Sequence, residues 1–129
     1  MLAVDTNLLV RIVANDDPEQ VKRATRLFEA EQIFIPKTVW LETEWVLRYA
    51  YKLDSGVIAR TLRAVAGLPN VMLENPVELA LALGWFERGL DFADALHLAS
   101  SQRAGRFATF DVKFAKQAEV LTEIEIIQA

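Results

Sequence analysis

Short apolar segments alternate with segments of helical periodicity along this chain, and no two apolar segments are joined by a hairpin turn. This alternation predicts an α/β fold in which the strands pair in parallel and helices cover both faces of the sheet. A length of 129 residues is that of a single domain with a sizeable core. The predicted strands are 1–4, 33–35, 71–73 and 107–110, with a weaker fifth near Val120 or Ile124.

Helical segments fill the intervals between these strands. The clearest start is Asp17-Pro18-Glu19-Gln20, in which an N-cap acid precedes proline at the first helical position. The first strand is a short continuous apolar run, so we expect it to be buried on both faces. The helices are predicted over 6–13, 18–28, 37–51, 57–66, 76 to the break at Gly89, 92–103 and 111–117.

The composition excludes several kinds of site. There are no cysteines and one histidine, so a disulfide framework, a cysteine-ligated zinc site and a histidine-rich metal site are all excluded. No apolar run approaches the roughly 20 residues of a membrane span, and no basic signal-peptide start is present. We therefore expect a cytoplasmic protein that does not enter a membrane.

The net charge of −4, from 18 acids and 14 bases, is unusual for a nucleic-acid binder. If four acids belong to a metal site, the remaining acids and bases are equal in number. A bound cation and a local basic patch could then face a phosphate backbone. The charge balance alone therefore does not decide whether the protein binds nucleic acid.

Two acids directly follow predicted strands. Asp5 follows the first strand, and Asp111 follows Thr109 and Phe110 at the end of the fourth. The carboxyl ends of parallel strands form the ligand crevice of such a sheet, so we expect both acids at that edge. The simpler interpretation is that each acid caps the next helix. Two such caps that came close together would repel each other without a cation.

Glu42 is spaced by three or four residues from apolar side chains of its helix, namely Val39, Val46 and Tyr49. We therefore predict that Glu42 lies in the apolar stripe, where an ionised carboxylate is costly unless it binds a metal or pairs with an arginine. Glu44 points about 160° away from Glu42. We interpret Glu44 as a surface or interface residue.

Asp94 lies among small and apolar residues at the start of a predicted helix. Asp91 is the expected N-cap, which puts Asp94 at the position of a capping-box acid. His97, one turn further, is interpreted as a buried or ligand-orienting histidine and not as a ligand. With Asp5, Glu42 and Asp111, Asp94 forms a set of oxygen donors that Mg²⁺ or Mn²⁺ accepts, and such ions catalyse phosphodiester hydrolysis.

Four motifs carry these acids: Asp5-Thr6-Asn7, Leu41-Glu42-Thr43-Glu44-Trp45-Val46-Leu47, Phe92-Ala93-Asp94-Ala95-Leu96-His97 and Thr109-Phe110-Asp111. Their order over about residues 1–122 resembles the PIN-domain family, and more closely the VapC-type toxins of toxin–antitoxin pairs. The resemblance implies a three-layer α/β/α sandwich with a central parallel sheet of four to five short strands. It also implies a metal-dependent endoribonuclease that hydrolyses RNA phosphodiester bonds.

The resemblance further implies roles for individual residues. The catalytic residues, which would also bind Mg²⁺ or Mn²⁺, are Asp5, Glu42, Asp94 and Asp111. The residues that would orient these carboxylates and the attacking water are Thr6, Asn7, Asp91 and Thr109, of which Asp91 is also a candidate fifth acid. The candidates for RNA contact are Arg11, Arg48 and Lys52, with Lys37, Arg60 and Arg63 as further basic residues.

The partners that the resemblance implies are an RNA substrate, a second copy of the chain in a homodimer and a small VapB-like antitoxin that covers the acidic pocket. Four large aromatic residues either pack in the core or line the antitoxin groove: Trp40, Trp45, Trp85 and Phe86.

Two other functions remain as hypotheses. A receiver-like phosphoacceptor also has an acidic Mg²⁺ pocket, but it expects paired acids after its first strand, where this chain has Asp5 alone. A catalytically inactive PIN-like module that binds a partner or RNA is the other alternative.

Overall fold

The structure, a computed structural model, describes all residues from 1 to 129 and confirms the α/β class. Helices alternate with five short strands, and every strand pair is parallel, as predicted. The strands are β1 (Leu2–Ala3), β2 (Ile33–Ile35), β3 (Val71–Leu73), β4 (Arg106–Thr109) and β5 (Glu125–Gln128). The helices are α1 (Thr6–Ala14), α2 (Pro18–Ala30), α3 (Lys37–Tyr49), α4 (Ser55–Ala66), α5 (Pro76–Glu87), α6 (Phe92–Ala99) and α7 (Val112–Glu119).

Two compact units divide the chain, residues 1–76 and residues 77–129. The assignment of the whole chain to a single domain stays a prediction. None of the helices combines the length and the apolar character that a membrane crossing requires.

The first unit contains a three-stranded parallel sheet in the order β1-β2-β3. Ile33 of the central strand pairs with Leu2 on one side and with Val71 on the other. Helix α1 packs against α2 and α3, and α3 packs against α4. The largest fully buried side chains of this unit include Trp40, Leu9, Leu47, Ile58 and Leu62.

The prediction that the first strand is buried on both faces is wrong. Strand β1 is two residues long, Leu2 is half-buried and Ala3 is exposed. Its only pairing is with β2, at one edge of the sheet. In the central strand β2, Ile33 and Ile35 are fully buried on one face, whereas Phe34 on the other face is half-buried.

The second unit contains the parallel pair β4 and β5, with Arg106 opposite Glu125 and Thr109 opposite Gln128. Helix α7 packs on both strands. The ring of Phe114 on α7 meets that of Phe107 on β4 edge to face, with 5.5 Å between the ring centroids. Helix α6 ends at Ala99, earlier than predicted, and β5 begins at Glu125, later than the two predicted positions.

Candidate active site

In the first unit, Thr6 links two of the predicted site residues. Asp5 is exposed at the carboxyl end of β1 and caps α1, because its Oδ1 accepts a hydrogen bond of 3.0 Å from the amide of Leu8. Thr6 follows directly and is buried, and its hydroxyl donates a hydrogen bond to Oε1 of Glu42 on α3. The fold thus brings Asp5 and Glu42 to the same end of the sheet. Asn7 is exposed in the first turn of α1.

The predicted burial of the two glutamates on α3 is wrong for both. Glu42 is exposed, whereas Glu44 is 1% exposed. Oε2 of Glu44 lies 2.9 Å from Nε of Arg48 in an ion pair, and Nη2 of Arg48 donates to Oε1 of Glu44 at 3.1 Å. The buried charge on this helix is therefore compensated by an arginine, and the carboxylate that remains accessible is Glu42.

Sequence reasoning missed Glu74, a second acid at a strand end of the first unit. Glu74 follows β3 as Asp5 follows β1, so the same pattern of a strand followed by an acid could have found it. Its Oε1 accepts a hydrogen bond of 3.0 Å from the amide of Lys37, at the start of α3. The N-cap residue of α3 is Pro36, whose side chain cannot accept a hydrogen bond from the helix amides. Glu74, directly after β3, supplies an acceptor in its place.

In the second unit, two acids are helix caps. Oδ2 of Asp91 accepts from the amide of Asp94 at 3.1 Å, and Oδ1 of Asp111 accepts from the amide of Phe114 at 2.9 Å. The hydroxyl of Thr109 accepts from the amide of Asp111 at 3.0 Å, which fixes the turn out of β4. Each cap uses one carboxylate oxygen and holds the side chain in place.

Asp94 lies half-buried on α6, and burial raises the pKa of its carboxyl. The negative charges of Asp91 and Asp111 act in the same direction, whereas the charge of His97 opposes them. Asp94 therefore interacts electrostatically with both acids. His97 is exposed, so its interpretation as a buried histidine is wrong.

Two of the predicted RNA-contact residues are engaged within the first unit. Nη1 of Arg11 lies 2.8 Å from Oδ1 of Asp16 and donates to the hydroxyl of Tyr51 at 3.1 Å, contacts that raise the pKa of the guanidinium. Arg48 is paired with Glu44, as described above. Lys52 is exposed after α3 and has a left-handed backbone with φ of 56°.

The four aromatic residues named from the sequence differ in exposure to solvent. Trp40, Trp85 and Phe86 are buried, with exposures of 1%, 7% and 7%. Trp45 is 56% exposed on α3.

The candidate ligands are of the chemical type that a hard divalent cation such as Mg²⁺ binds. All four candidate ligands are carboxylates. The negative charges of Asp91 and Asp111 repel that of Asp94, and a bound cation would reduce this repulsion. Within neither unit does the structure gather three or more acidic or histidine side chains around one ion position. Each unit therefore holds part of the predicted set: Asp5 and Glu42 in the first, Asp94 and Asp111 in the second.

In a parallel α/β fold, acids that follow the strands lie at the edge of the sheet where such folds bind their ligands. The sequence matches the PIN domain over residues 2–120, and the chain belongs to the PIN-domain family, whose members are generally divalent-metal-dependent nucleases. The chain is also similar to VapC20 of Mycobacterium tuberculosis, described as a toxin that cleaves the sarcin–ricin loop. The two are 19% identical over 96% of this chain and 98% of that chain, with a TM-score of 0.45. No curated protein matches the sequence.

Proposed function

We propose that this protein is a metal-dependent endoribonuclease and the toxin of a VapBC-type toxin–antitoxin pair. The observation that carries the proposal is the match to the PIN domain over residues 2–120, a stretch that includes every candidate acid. The residues proposed to be catalytic and to bind Mg²⁺ or Mn²⁺ are Asp5, Glu42, Asp94 and Asp111. A bound ion of this kind activates water and neutralises charge on the phosphoryl group.

The chain's own residues prepare this chemistry by fixing carboxylates. The hydroxyl of Thr6 holds one oxygen of Glu42, and the helix amides of α1 and α7 hold one oxygen each of Asp5 and Asp111. Ordered carboxylates lose less conformational entropy when they bind an ion or orient a water. Asp91 and Thr109 act as positioning residues, because they fix the starts of α6 and α7.

The nuclease is tested with an RNA labelled at either end, incubated with Mg²⁺, with Mn²⁺ and with EDTA. We expect internal cleavage that needs a divalent ion and that Asp5→Asn and Asp94→Asn abolish. Asp17→Asn is the matched control, because Asp17 also caps a helix but follows no strand. Equal cleavage by wild type and both site variants would reject the proposal.

The toxin role is tested by induced expression in a bacterial host. We expect growth arrest by wild type, none by Asp5→Asn, and relief by a small antitoxin encoded beside this gene. Light scattering tests the proposed homodimer, and fractionation of the host tests the proposed cytoplasmic location. Growth arrest that Asp5→Asn leaves unchanged would contradict toxicity through RNA cleavage.

A further inference from the structure

We propose that the aromatic face of α3, formed by Trp45 and Tyr49, stacks unpaired bases of single-stranded RNA beside the carboxylate of Glu42. The inference rests on the proposed nuclease function and specifies the kind of RNA that the site takes. It assigns Trp45 and Tyr49 to substrate positioning and not to the chemical step.

The aromatic face lies on the same side of α3 as Glu42. Trp45 and Tyr49 follow Glu42 by three and seven residues, which places all three within about 60° around the helix axis. Trp45 is 56% exposed and Tyr49 is 55% exposed, and Glu42 is exposed as well. The two rings contact each other, with centroids 5.2 Å apart and planes inclined by 49°. A ligand stacked on this face therefore lies next to a proposed catalytic carboxylate.

The ring of Tyr49 contacts a cationic side chain that is itself paired with a buried carboxylate. The guanidinium of Arg48 lies 4.9 Å from the centre of the Tyr49 ring. Arg48 is in turn held by the ion pair of 2.9 Å with Glu44, whose side chain is 1% exposed. This series of contacts supports the ring of Tyr49, against which Trp45 packs, and a supported surface loses less conformational entropy on binding.

Single-stranded RNA matches this chemistry better than a protein partner does. Unpaired bases stack on exposed aromatic rings, and Lys52, which is exposed three residues after Tyr49, supplies a positive charge for the phosphates. Two half-exposed rings offer roughly 200 Å² of aromatic surface, whereas a stable protein interface needs about 800 Å² from each partner. The neighbouring exposed side chains on this face are polar, Thr38 and Glu42. The surface is thus small and bordered by polar groups.

The test measures binding of a short single-stranded RNA and of the matching duplex, with EDTA present so that metal-dependent cleavage does not interfere. The variants are Trp45→Ala, Trp45→Phe and Tyr49→Ala. The control is Val77→Ala, which truncates an apolar side chain that is 74% exposed on another helix. Anisotropy of the labelled RNA gives the affinity, light scattering gives the oligomeric state, and thermal melting confirms that each variant is folded.

We expect Trp45→Ala to weaken single-strand binding about 5- to 150-fold, the range for loss of one stacked base. Trp45→Phe keeps an aromatic ring and stays within about threefold of wild type, and duplex binding and Val77→Ala do not change. Tryptophan fluorescence is quenched by the single strand in wild type but not in Trp45→Phe, because Trp40 and Trp85 are buried.

Unchanged single-strand affinity in Trp45→Ala overturns the proposal, as does an equal loss for single strand and duplex. If Trp45→Ala dissociates a dimer or releases an antitoxin without changing RNA affinity, the face is a protein interface and the proposal is also overturned. If cleavage depends on metal but RNA binding does not depend on Trp45, the stacking proposal is rejected and the nuclease proposal stands. Stacking without any cleavage rejects the nuclease alone.

Discussion

The hydroxyl of Thr6 donates a hydrogen bond to a carboxylate oxygen of Glu42, 36 residues further along the chain. This bond joins the first turn of α1, which begins directly after Asp5, to the middle of α3. It is the contact within the first unit that connects two of the proposed metal ligands. Thr6 therefore positions the exposed carboxylate of Glu42.

Replacement of Thr6 by valine keeps the size of the side chain and removes the donor. We expect Thr6→Val to lower the free energy of unfolding by about 1 kcal/mol and to lower nuclease activity about 10- to 100-fold, with more metal needed for half-maximal rate. Thr6→Ser retains the hydroxyl and should restore most of the activity. The measurements are urea unfolding and cleavage rates over a Mg²⁺ titration. Full activity in Thr6→Val would contradict a role for this hydrogen bond.

The two glutamates of α3 should respond differently to the same substitution. Glu42→Gln should leave the free energy of unfolding within about 0.5 kcal/mol of wild type and abolish cleavage. Glu44→Gln should lower the free energy of unfolding by about 2 kcal/mol, because it weakens the charged pair with Arg48, and should retain cleavage in the folded fraction. Melting curves and initial rates on the same preparations separate the two effects. The reverse pattern would assign the site to Glu44.

The contrast between these glutamates shows why the sequence predicted the strands better than the site. Strands β2 and β3 have the predicted bounds because short apolar runs, the first of them stopped by Pro36, are local signals. The capping interpretation of Asp5 and Asp111 is confirmed for the same reason, since a cap involves only the next few residues.

The buried side of α3 depends instead on packing against α1 and α4. The fully buried positions of that side include Thr43 and Glu44, besides Trp40 and Leu47. A pattern of apolar residues assigns two such polar residues to the surface. The pairing of Glu44 with Arg48 has the local spacing of four residues, but the burial of Thr43 and Glu44 depends on the neighbouring helices, which no local pattern contains. The same reasoning explains β1, whose apolar sequence does not show that it lies at an edge of its sheet.

The raised pKa of Asp94 predicts how stability depends on pH in the absence of metal. A folded-state pKa above the unfolded value means that the contribution of Asp94 to stability is present at low pH and is lost as pH rises through the raised pKa. We therefore expect Asp94→Asn to raise the melting temperature at pH 7 in EDTA, and this gain to vanish as the pH falls below about 4.

The control for Asp94 is Asp91→Asn, because asparagine still caps α6 but removes a charge that raises the pKa of Asp94. It should give a smaller gain in melting temperature over the same pH range. Mg²⁺ should stabilise wild type and have less effect on Asp94→Asn. A loss of stability in Asp94→Asn at pH 7 in EDTA would show that the ionised carboxylate stabilises the metal-free protein.

Tyr51 ties the turn after α1 to the end of α3. Its hydroxyl donates to Oδ2 of Asp16 at 2.6 Å and accepts from Arg11 at 3.1 Å. The bond from Tyr51 lowers the pKa of Asp16, and Arg11 acts in the same direction. A lowered folded-state pKa adds stability above the ordinary pKa of the carboxyl, and this stability is lost as pH falls through the lowered value.

We therefore expect Tyr51→Phe to melt at a lower temperature than wild type at pH 7. The difference should shrink in acid and at high salt, since Asp16 is exposed. Tyr49→Phe is the matched control, because Tyr49 lies near the same helix end and makes its contacts through its ring. This variant should melt as wild type does.

Because Asp16 and Tyr51 already bind Arg11, Arg11→Gln should lower stability more than RNA affinity. A large loss of RNA affinity in Arg11→Gln without a change in melting would instead make Arg11 an RNA contact.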